Sequence, residues 1–166
     1  MTTLSLVLRP ERPEDDAAIG RLEARAFGPG RFARTAYRLR EGAPHRIDLG
    51  VTASVGSFLA GSVRMSPVRA GSAAFLMLGP LAVDPSFEGR GIGTALTTAA
   101  IEAARAAGEG LVTLVGDAPY YARFGFSAVP TGRLTLPGPV DPARFLWLEL
   151  AEGFCAGVSG LVEPAR

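Results

Sequence analysis

The sequence predicts an α/β domain in which strands and helices alternate along one chain. Three neighbouring segments predict it: an apolar run over residues 73–83, a glycine-containing loop, and an alanine-rich helical stretch from about residue 91 to 107. A short apolar run at residues 111–115 is typical of a buried parallel strand. Because the chain has 166 residues and 48% of them are apolar, we expect a single domain over residues 1–166 with a substantial core.

The composition argues against several classes of protein. The single cysteine, Cys155, cannot form an internal disulfide and is expected to be an inert buried thiol, and one histidine cannot build a metal cluster, so no metal is expected. The 17 basic residues are arginines spread along the chain and the net charge is only +1, so nucleic acid is not an expected partner. No apolar run approaches the length of a membrane span and the N-terminus has no signal pattern, so we expect a cytoplasmic protein without a membrane partner.

The first third of the chain is predicted to form a strand and two helices. Residues 4–9 alternate as a strand does, and two prolines end this strand before a helix with an acidic first turn. Ile19, Leu22 and Ala26 mark the buried face of that helix. After a loop, a second helical stretch runs from about residue 31 to 41, and its arginines suit a solvated basic face.

Three strands are predicted next. Residues 48–55 and 58–67 form a hairpin around a tight turn at Gly56-Ser57, and residues 73–83 form the third strand. Pro80 in this third strand has no N–H to give to a neighbour. We therefore expect pairing to be interrupted at Pro80 and the strand to splay away from its neighbour.

The elements of the second half complete the prediction. The helix over residues 91–107 ends at Gly108, residues 119–124 form a helical turn, and further strands cover residues 133–136 and 145–150. The last of these strands is either buried within the monomer or lies at an edge, where it would pair across a homodimer. The long helix is expected to turn small residues towards the sheet, namely Leu96, Ala99, Ala100, Ala103 and Ala107.

The glycine loop before the long helix has the features of an anion-binding site. Gly89, Gly91 and Gly93 let backbone N–H groups approach phosphate oxygens, and the unpaired N–H groups of the first helical turn add further donors. The dinucleotide pattern G-x-G-x-x-G does not fit, because its last position would be Thr94 or Leu96. A P-loop needs a lysine, and the chain contains none. The loop is therefore a glycine-containing phosphate-binding loop that matches neither of these two patterns.

Two motifs in the right order resemble the GNAT acetyltransferase superfamily. The segment Glu88-Gly-Arg-Gly-Ile-Gly93 resembles the phosphate loop of the family, Gln/Arg-x-x-Gly-x-Gly/Ala, and Tyr121-Ala-Arg-Phe-Gly-Phe126 resembles its Tyr-x-x-x-Gly-Phe motif. The resemblance covers roughly residues 4–129 and is strongest over residues 78–126. It implies a mixed central β-sheet flanked by helices.

The resemblance also implies a function: an N-acetyltransferase with acetyl-CoA as co-substrate, in which a small-molecule or peptide amine attacks the thioester directly. Tyr121 stands where the family protonates the departing thiolate, while the preceding Tyr120 is expected to point elsewhere. The splayed strand would pair with the pantetheine arm, and its backbone N–H groups would polarise the thioester carbonyl. The residues implied to bind acetyl-CoA are Leu81, Ala82, Val83, Glu88, Gly89, Arg90, Gly91, Ile92, Gly93 and Thr94.

Glu88 departs from the family pattern, and the sequence shows no obvious general base. Glu88 replaces the Gln or Arg of the family's loop, and a carboxylate beside a pyrophosphate is unfavourable unless it points away or pairs with Arg90. No side chain stands out as the base that deprotonates the acceptor. His45 precedes a strand, and Asp84 and Asp117 suit turns or caps.

Two other functions fit the same residues. A non-catalytic acyl-CoA sensing or interaction module would keep the fold and lose turnover; Glu88 is compatible with that function, whereas Tyr121 argues against it. A transferase that uses a longer acyl donor fits equally well. The segments expected to select the acceptor, residues 27–41 and those after 129, carry no readable signature, so the sequence leaves the acceptor open.

Overall fold

The fold is a mixed β-sheet, seen in a computed structural model that describes residues 5–28, 35–42 and 44–165. Its strands are β1 (Leu6–Pro10), β2 (Val51–Val55), β3 (Phe58–Ala70), β4 (Ala73–Val83), β5 (Leu111–Val115), β6 (Ser127–Ala128), β7 (Leu134–Thr135), β8 (Phe145–Glu149) and β9 (Gly160–Pro164). Their order is β1-β2-β3-β4-β5-β8-β6, and β9 lies beside β3 and β7. The β4–β5 and β7–β9 pairs are parallel and the other pairs are antiparallel, so the predicted mixed sheet is confirmed.

Helices cover both faces of this sheet. They are α1 (Asp16–Phe27), α2 (Thr35–Glu41), α3 (Ile92–Ala106) and α4 (Ala118–Ala122). Because successive side chains of a strand point to opposite faces, Leu76 and Leu78 of β4 join the core under α3, while Phe75 and Met77 join a second core that includes Leu39 of α2. Among the described residues, no helix is both long enough and apolar enough to span a membrane.

The prediction is confirmed in the centre of the chain. The hairpin β2–β3 turns at Gly56-Ser57, with Val55 opposite Phe58, and β4 has the predicted bounds. β5 is the parallel neighbour of β4. The long helix ends as expected, since Gly108 has a left-handed φ of +80° and its N–H bonds to the Arg105 carbonyl at 3.1 Å.

Several element boundaries and burial patterns differ from the prediction. The first strand runs from Leu6 to Pro10, whereas residues 4–9 were predicted. Residue 4 of that predicted strand and residues 31–34 of the predicted second helix lie outside the described residues. Residues 47–49 form a 3-10 turn, so β2 begins at Val51 instead of residue 48. Ala107 is exposed, because α3 ends one residue before it; the buried alanine in the last turns is Ala104, which continues the four-residue spacing from Leu96.

The largest differences concern strands that pair far along the chain. β8 lies between β5, which it pairs along its whole length, and β6. The edge position that would let it pair across a homodimer is therefore wrong, and burial within the monomer is observed. β9 was not predicted at all; it pairs with the end of β3 at Val68–Ala70 and with β7.

Candidate active site

The sheet opens where β4 leaves β5. The two parallel strands pair only at Leu76 and Met77 of β4, and beyond these residues β4 keeps its pairing with β3 alone. Pro80 lies in the unpaired part and has no N–H to donate. Residues 81–83 remain paired to β3 on one side, so their other edge faces the gap. The splay predicted from Pro80 is confirmed.

A cavity of about 670 Å³ occupies the gap and is called the strand cleft below. Residues 78–81 of β4 form one wall, while residues 114–117 and the two tyrosines of α4 form the opposite one. Apart from Glu23 of α1, the remaining lining residues come from both segments that were expected to select the acceptor: Phe27, Tyr37, Arg40, Pro139, Val140, Asp141 and Arg144. A substrate in the strand cleft would therefore lie between a free strand edge and two phenol rings.

The loop that leads from β4 to α3 is shaped by Asp84. Its carboxylate accepts the Ser86 N–H at 2.9 Å and forms an ion pair with Arg25 at 2.8 Å. The Ser86 N–H and the Arg25 guanidinium hold the pKa of Asp84 below its usual value, against the opposing effect of burial. Asp84 is therefore a charged turn residue, as its position in the sequence suggested, and it fixes where the loop starts.

Two glycines of this loop adopt a left-handed backbone beneath open space. The φ angles of Gly89 and Gly91 are +76° and +78°, and a Cβ at either position would meet no atom within 4 Å. α3 begins at Ile92, and its first intrahelical bond runs from the Ala95 N–H to the Gly91 carbonyl. The N–H groups of residues 92–94 thus have no partner in the helix, and they face an open surface suited to an anion.

The charged side chains of the loop are both exposed. The Arg90 guanidinium lies over the ring of Phe87, 5.1 Å from its centroid, where it is held close to the N-terminus of α3. No ion pair joins Arg90 to Glu88 among the residues that the structure describes, so the pairing that would neutralise Glu88 is not observed. Because the Glu88 carboxylate is exposed, solvent and salt screen its repulsion of a bound phosphate.

Tyr121 is packed into the wall of the strand cleft. Its ring makes an edge contact with Phe126 at 5.8 Å between centroids, and a Cβ on Gly116 would lie only 2.5 Å from it. Glycine at position 116 is therefore required for the ring to take this place. Burial raises the pKa of Tyr121 to about 12, so its hydroxyl keeps its proton at neutral pH.

Tyr120 also reaches the site, so the expectation that it points elsewhere is wrong. Its ring packs edge-on against that of Tyr121, with 4.9 Å between centroids, and both rings line the strand cleft. The Tyr120 hydroxyl lies 3.3 Å from the Thr94 hydroxyl, and a Cβ on Gly93 would be 3.2 Å from it. The short helix α4 thus directs Tyr120 towards the first turn of α3 and Tyr121 towards the wall of the cleft.

A second cavity, of about 430 Å³, adjoins the strand cleft and is called the polar cavity below. The two share Glu23, Tyr37, Arg40, Gly79 and Pro80. The other residues that line the polar cavity are Glu41, Gly42, Pro44, His45, Arg64 and Ser66. Its walls therefore come from α1, α2, β3 and the start of the splayed half of β4.

A buried ionic network lies behind the polar cavity. The Glu11 carboxylate lies 2.7 Å from His45 Nε2 and accepts two bonds of 3.2 Å from Arg64. Arg64 also donates to Asp16 at 3.0 Å and lies 3.9 Å from Glu23. Burial alone would raise the pKa of Glu11, but the bonds from His45 and Arg64 lower it below its ordinary value. His45 is therefore a structural partner of Glu11.

Comparison with known proteins assigns the family. The family model described as an acetyltransferase (GNAT) domain matches residues 51–128. The uncharacterized N-acetyltransferase YhbS of Escherichia coli K12 is 30% identical over 160 residues, which make up 95% of this chain and 95% of YhbS. The chain belongs to the GNAT acetyltransferase family. The resemblance drawn from the two sequence motifs is thereby confirmed.

Two solved GNAT structures are similar over most of the chain. Escherichia coli YhbS in complex with CoA has a TM-score of 0.82 and 29% identity, covering 99% of this chain and 92% of its own. A GNAT family acetyltransferase from Brucella melitensis in complex with acetyl-CoA has a TM-score of 0.63 and 30% identity, covering 87% and 96%. The fold is therefore the GNAT fold.

The other residues that were considered for a catalytic role have structural positions in the fold. The Asp117 carboxylate accepts the Tyr120 N–H at 3.0 Å and so caps α4, as expected. Cys155 lines neither cavity, and burial raises the pKa of its thiol to about 11, which leaves little reactive thiolate. Within the described segments, no group of three histidine, cysteine or carboxylate side chains could hold a metal ion.

Replacing Glu11 by glutamine is expected to destabilise the fold, because the Glu11 carboxylate neutralises the buried side of Arg64. We expect the free energy of unfolding at pH 7 to fall by about 2 kcal/mol, the usual loss for a buried hydrogen bond to a charged group. The folded pKa of Glu11 is lowered, so its stabilisation is present above the ordinary pKa of 4.5 and is lost as the pH falls below it. Urea unfolding of Glu11→Gln and the natural protein should therefore converge in acid.

The matched control is Asp48→Asn, which removes an ion pair between Arg46 and an exposed carboxylate. We expect it to change the free energy of unfolding by less than about 1 kcal/mol. Equal effects of the two substitutions would show that the Glu11 network does not hold the polar cavity together.

Proposed function

We propose that this chain is an acetyl-CoA-dependent N-acetyltransferase in which an acceptor amine attacks the thioester directly. The observation that carries the proposal is that Tyr120, whose ring lines the strand cleft, also reaches Thr94 in the first turn of α3, directly after the open glycine loop. An extended donor with a pyrophosphate at one end and a thioester at the other fits this arrangement. The CoA and acetyl-CoA held by the two related structures support it.

The loop residues would hold the pyrophosphate. Backbone N–H groups of residues 89–94 would donate to its oxygens, and Arg90 would add a positive charge. The geometry fits this role, since a Cβ at Gly89 or Gly91 would meet no protein atom. Bound acetyl-CoA supplies the activated acetyl group, and the free edge of Leu81, Ala82 and Val83 would pair with its pantetheine amides.

Tyr121 would act as the general acid. Because its pKa is raised to about 12 by burial, the hydroxyl is protonated throughout the neutral range and can donate to the leaving thiolate. The same high pKa makes it a weaker acid than a free tyrosine. Its main contribution is therefore a hydrogen bond that strengthens as charge develops on sulfur, followed by proton transfer.

The acceptor would enter from the side where Phe27, Tyr37 and Arg40, together with residues 139–144, contribute to the walls. A small-molecule or peptide amine fits an opening of this size. We propose that residues 1–166 act together as a single GNAT domain.

Calorimetric titration with acetyl-CoA, followed by a turnover screen, tests the proposal. We expect saturable binding of acetyl-CoA and release of CoA thiol with at least one primary amine from a panel of amino acids, polyamines, amino sugars and short peptides. Binding without turnover over the whole panel would favour an acyl-CoA sensing module. Turnover only with long-chain donors would replace acetyl-CoA by a longer acyl-CoA.

A further inference from the structure

Two stacked phenylalanines join the β2–β3 hairpin to the glycine loop. Phe58 begins β3 directly after the turn at Gly56-Ser57, and Phe87 ends the 3-10 turn over residues 85–87 that precedes the loop glycines. Their ring centroids lie 5.4 Å apart, and the ring planes are only 24° from parallel. Phe87 also packs against the core under α3, whereas Phe58 is 44% exposed. Burial in that core therefore does not explain the position of Phe58.

Each of the two rings also holds a guanidinium. The guanidinium carbon of Arg25 lies 5.7 Å from the centroid of the Phe58 ring, and that of Arg90 lies 5.1 Å from the centroid of the Phe87 ring. A cation over an aromatic ring is attracted by the negative charge of the ring face. Successive contacts therefore lead from Arg25, in the last turn of α1, through the two rings to Arg90 in the glycine loop.

A second set of contacts leads from Arg25 to the start of the same loop. The Arg25 guanidinium pairs with the buried Asp84 carboxylate at 2.8 Å, and the Asp84 N–H donates to the Ala60 carbonyl of β3 at 2.8 Å. The Phe87 N–H donates to the Asp84 carbonyl at 2.8 Å. Residues 84–87 are thus fixed to α1 and to β3 by several separate contacts.

Arg90 depends on these contacts for its own position. Gly89 and Gly91 flank it, and neither has a side chain that could pack and fix the loop. Arg90 is exposed, and an exposed arginine ordinarily samples many rotamers, a freedom that it loses on binding a phosphate. A guanidinium that is already held over a fixed ring has less of that freedom to lose. The position of the Phe87 ring therefore influences how tightly Arg90 can bind an anion.

We propose that Phe58 is a positioning residue for acetyl-CoA: its ring, held by Arg25, fixes the ring of Phe87 and thereby keeps Arg90 beside the N-terminus of α3 before the pyrophosphate arrives. This inference rests on the proposed function, in which Arg90 adds a positive charge at the pyrophosphate. It gives a role in co-substrate binding to a hairpin residue that lies outside both sequence motifs. Because these contacts act on the phosphate end of acetyl-CoA, acetyl transfer itself should not depend on them.

The test is calorimetric titration of CoA into Phe58→Ala, with Phe58→Tyr as the conservative variant. In Phe58→Ala the Phe87 ring loses its stacking partner, and we expect the dissociation constant to rise about tenfold. Phe58→Tyr keeps an aromatic face for both contacts and should stay within about twofold of the natural value. In steady-state turnover, Phe58→Ala should raise KM for acetyl-CoA and leave kcat unchanged. Natural CoA affinity in Phe58→Ala would overturn the proposal.

A double-mutant cycle shows whether Phe58 acts through Arg90. Arg90→Met removes the positive charge and keeps an unbranched side chain, so it should weaken CoA binding by itself. Adding Phe58→Ala to Arg90→Met should cause little further loss, because the guanidinium that Phe58 positions is already absent. Fully additive losses of affinity would contradict the proposal, because Phe58 would then act independently of Arg90.

Controls separate this inference from misfolding and from failure of the proposed function. Leu161→Ala removes another exposed apolar side chain, from β9 at the opposite end of β3, and should leave CoA affinity unchanged. Equal losses in Leu161→Ala and Phe58→Ala would contradict a positioning role. If the natural protein binds CoA but acetylates no amine, the proposed function fails, and the affinities of the variants still test Phe58. If the natural protein does not bind CoA, both proposals are wrong.

Discussion

Replacing Gly91 by tryptophan is expected to abolish acetyl-CoA binding while the protein stays folded. The left-handed backbone at Gly91 disfavours any side chain by about 1–2 kcal/mol, and an indole ring would lie over the N–H groups that begin α3. Both effects act on the loop that is proposed to bind the pyrophosphate. We expect the dissociation constant for acetyl-CoA to rise at least about 100-fold by calorimetry, and turnover at low acetyl-CoA to fall in proportion.

The control for Gly91→Trp is Gly108→Trp at the other end of α3. Gly108 has nearly the same backbone, with φ of +80°, and a Cβ there would also meet no atom within 4 Å. The two variants should therefore lose similar amounts of stability in thermal unfolding, but only Gly91→Trp should lose acetyl-CoA. Equal affinities in the two variants would place the pyrophosphate elsewhere.

The parts of the fold that could be predicted from sequence are those fixed by neighbours along the chain. The hairpin at Gly56-Ser57, β4, and the end of α3 at Gly108 each depend on a local turn, pattern or cap. The position of β9 and the inner position of β8 depend on pairing with strands at least 18 residues away along the chain, since the nearest pair is Ala128 with Leu146. The sequence of such a segment does not identify the strand with which it pairs, because the register of pairing depends on which faces of the whole sheet are buried.

The candidate site also has parts that could be predicted from the sequence and parts that could not. The glycine loop and Tyr121 lie in short motifs that a sequence displays directly. Glu23 and Arg64 come together only because α1 packs on β3, so each looks like an ordinary surface charge in the sequence. One signal was present: Ser62, Arg64 and Ser66 alternate with apolar residues along a strand that is buried on both faces. Three polar side chains on one face of such a strand indicate a polar cavity above it.

Replacing Tyr121 by phenylalanine is expected to reduce kcat about 100-fold, the usual contribution of a positioned general acid, and to leave acetyl-CoA affinity unchanged. The aromatic contacts to Phe126 and Gly116 do not need the hydroxyl, so packing should be preserved. Stopped-flow measurement of CoA thiol release separates this chemical step from product release. An unchanged rate of thiol release would remove Tyr121 from the mechanism.

Tyr120→Phe is the matched control, because the two rings touch and the substitution likewise removes only a hydroxyl. The Tyr120 hydroxyl contacts Thr94 in the first turn of α3, so its loss should weaken acetyl-CoA binding a few-fold and leave kcat nearly unchanged. The pH dependence gives a further distinction. Since burial raises the pKa of Tyr121 to about 12, deprotonation of this acid should cause no fall in kcat below about pH 10. A descending limb near neutral pH that disappears in Tyr121→Phe would mean that the hydroxyl is far more acidic than its buried position implies.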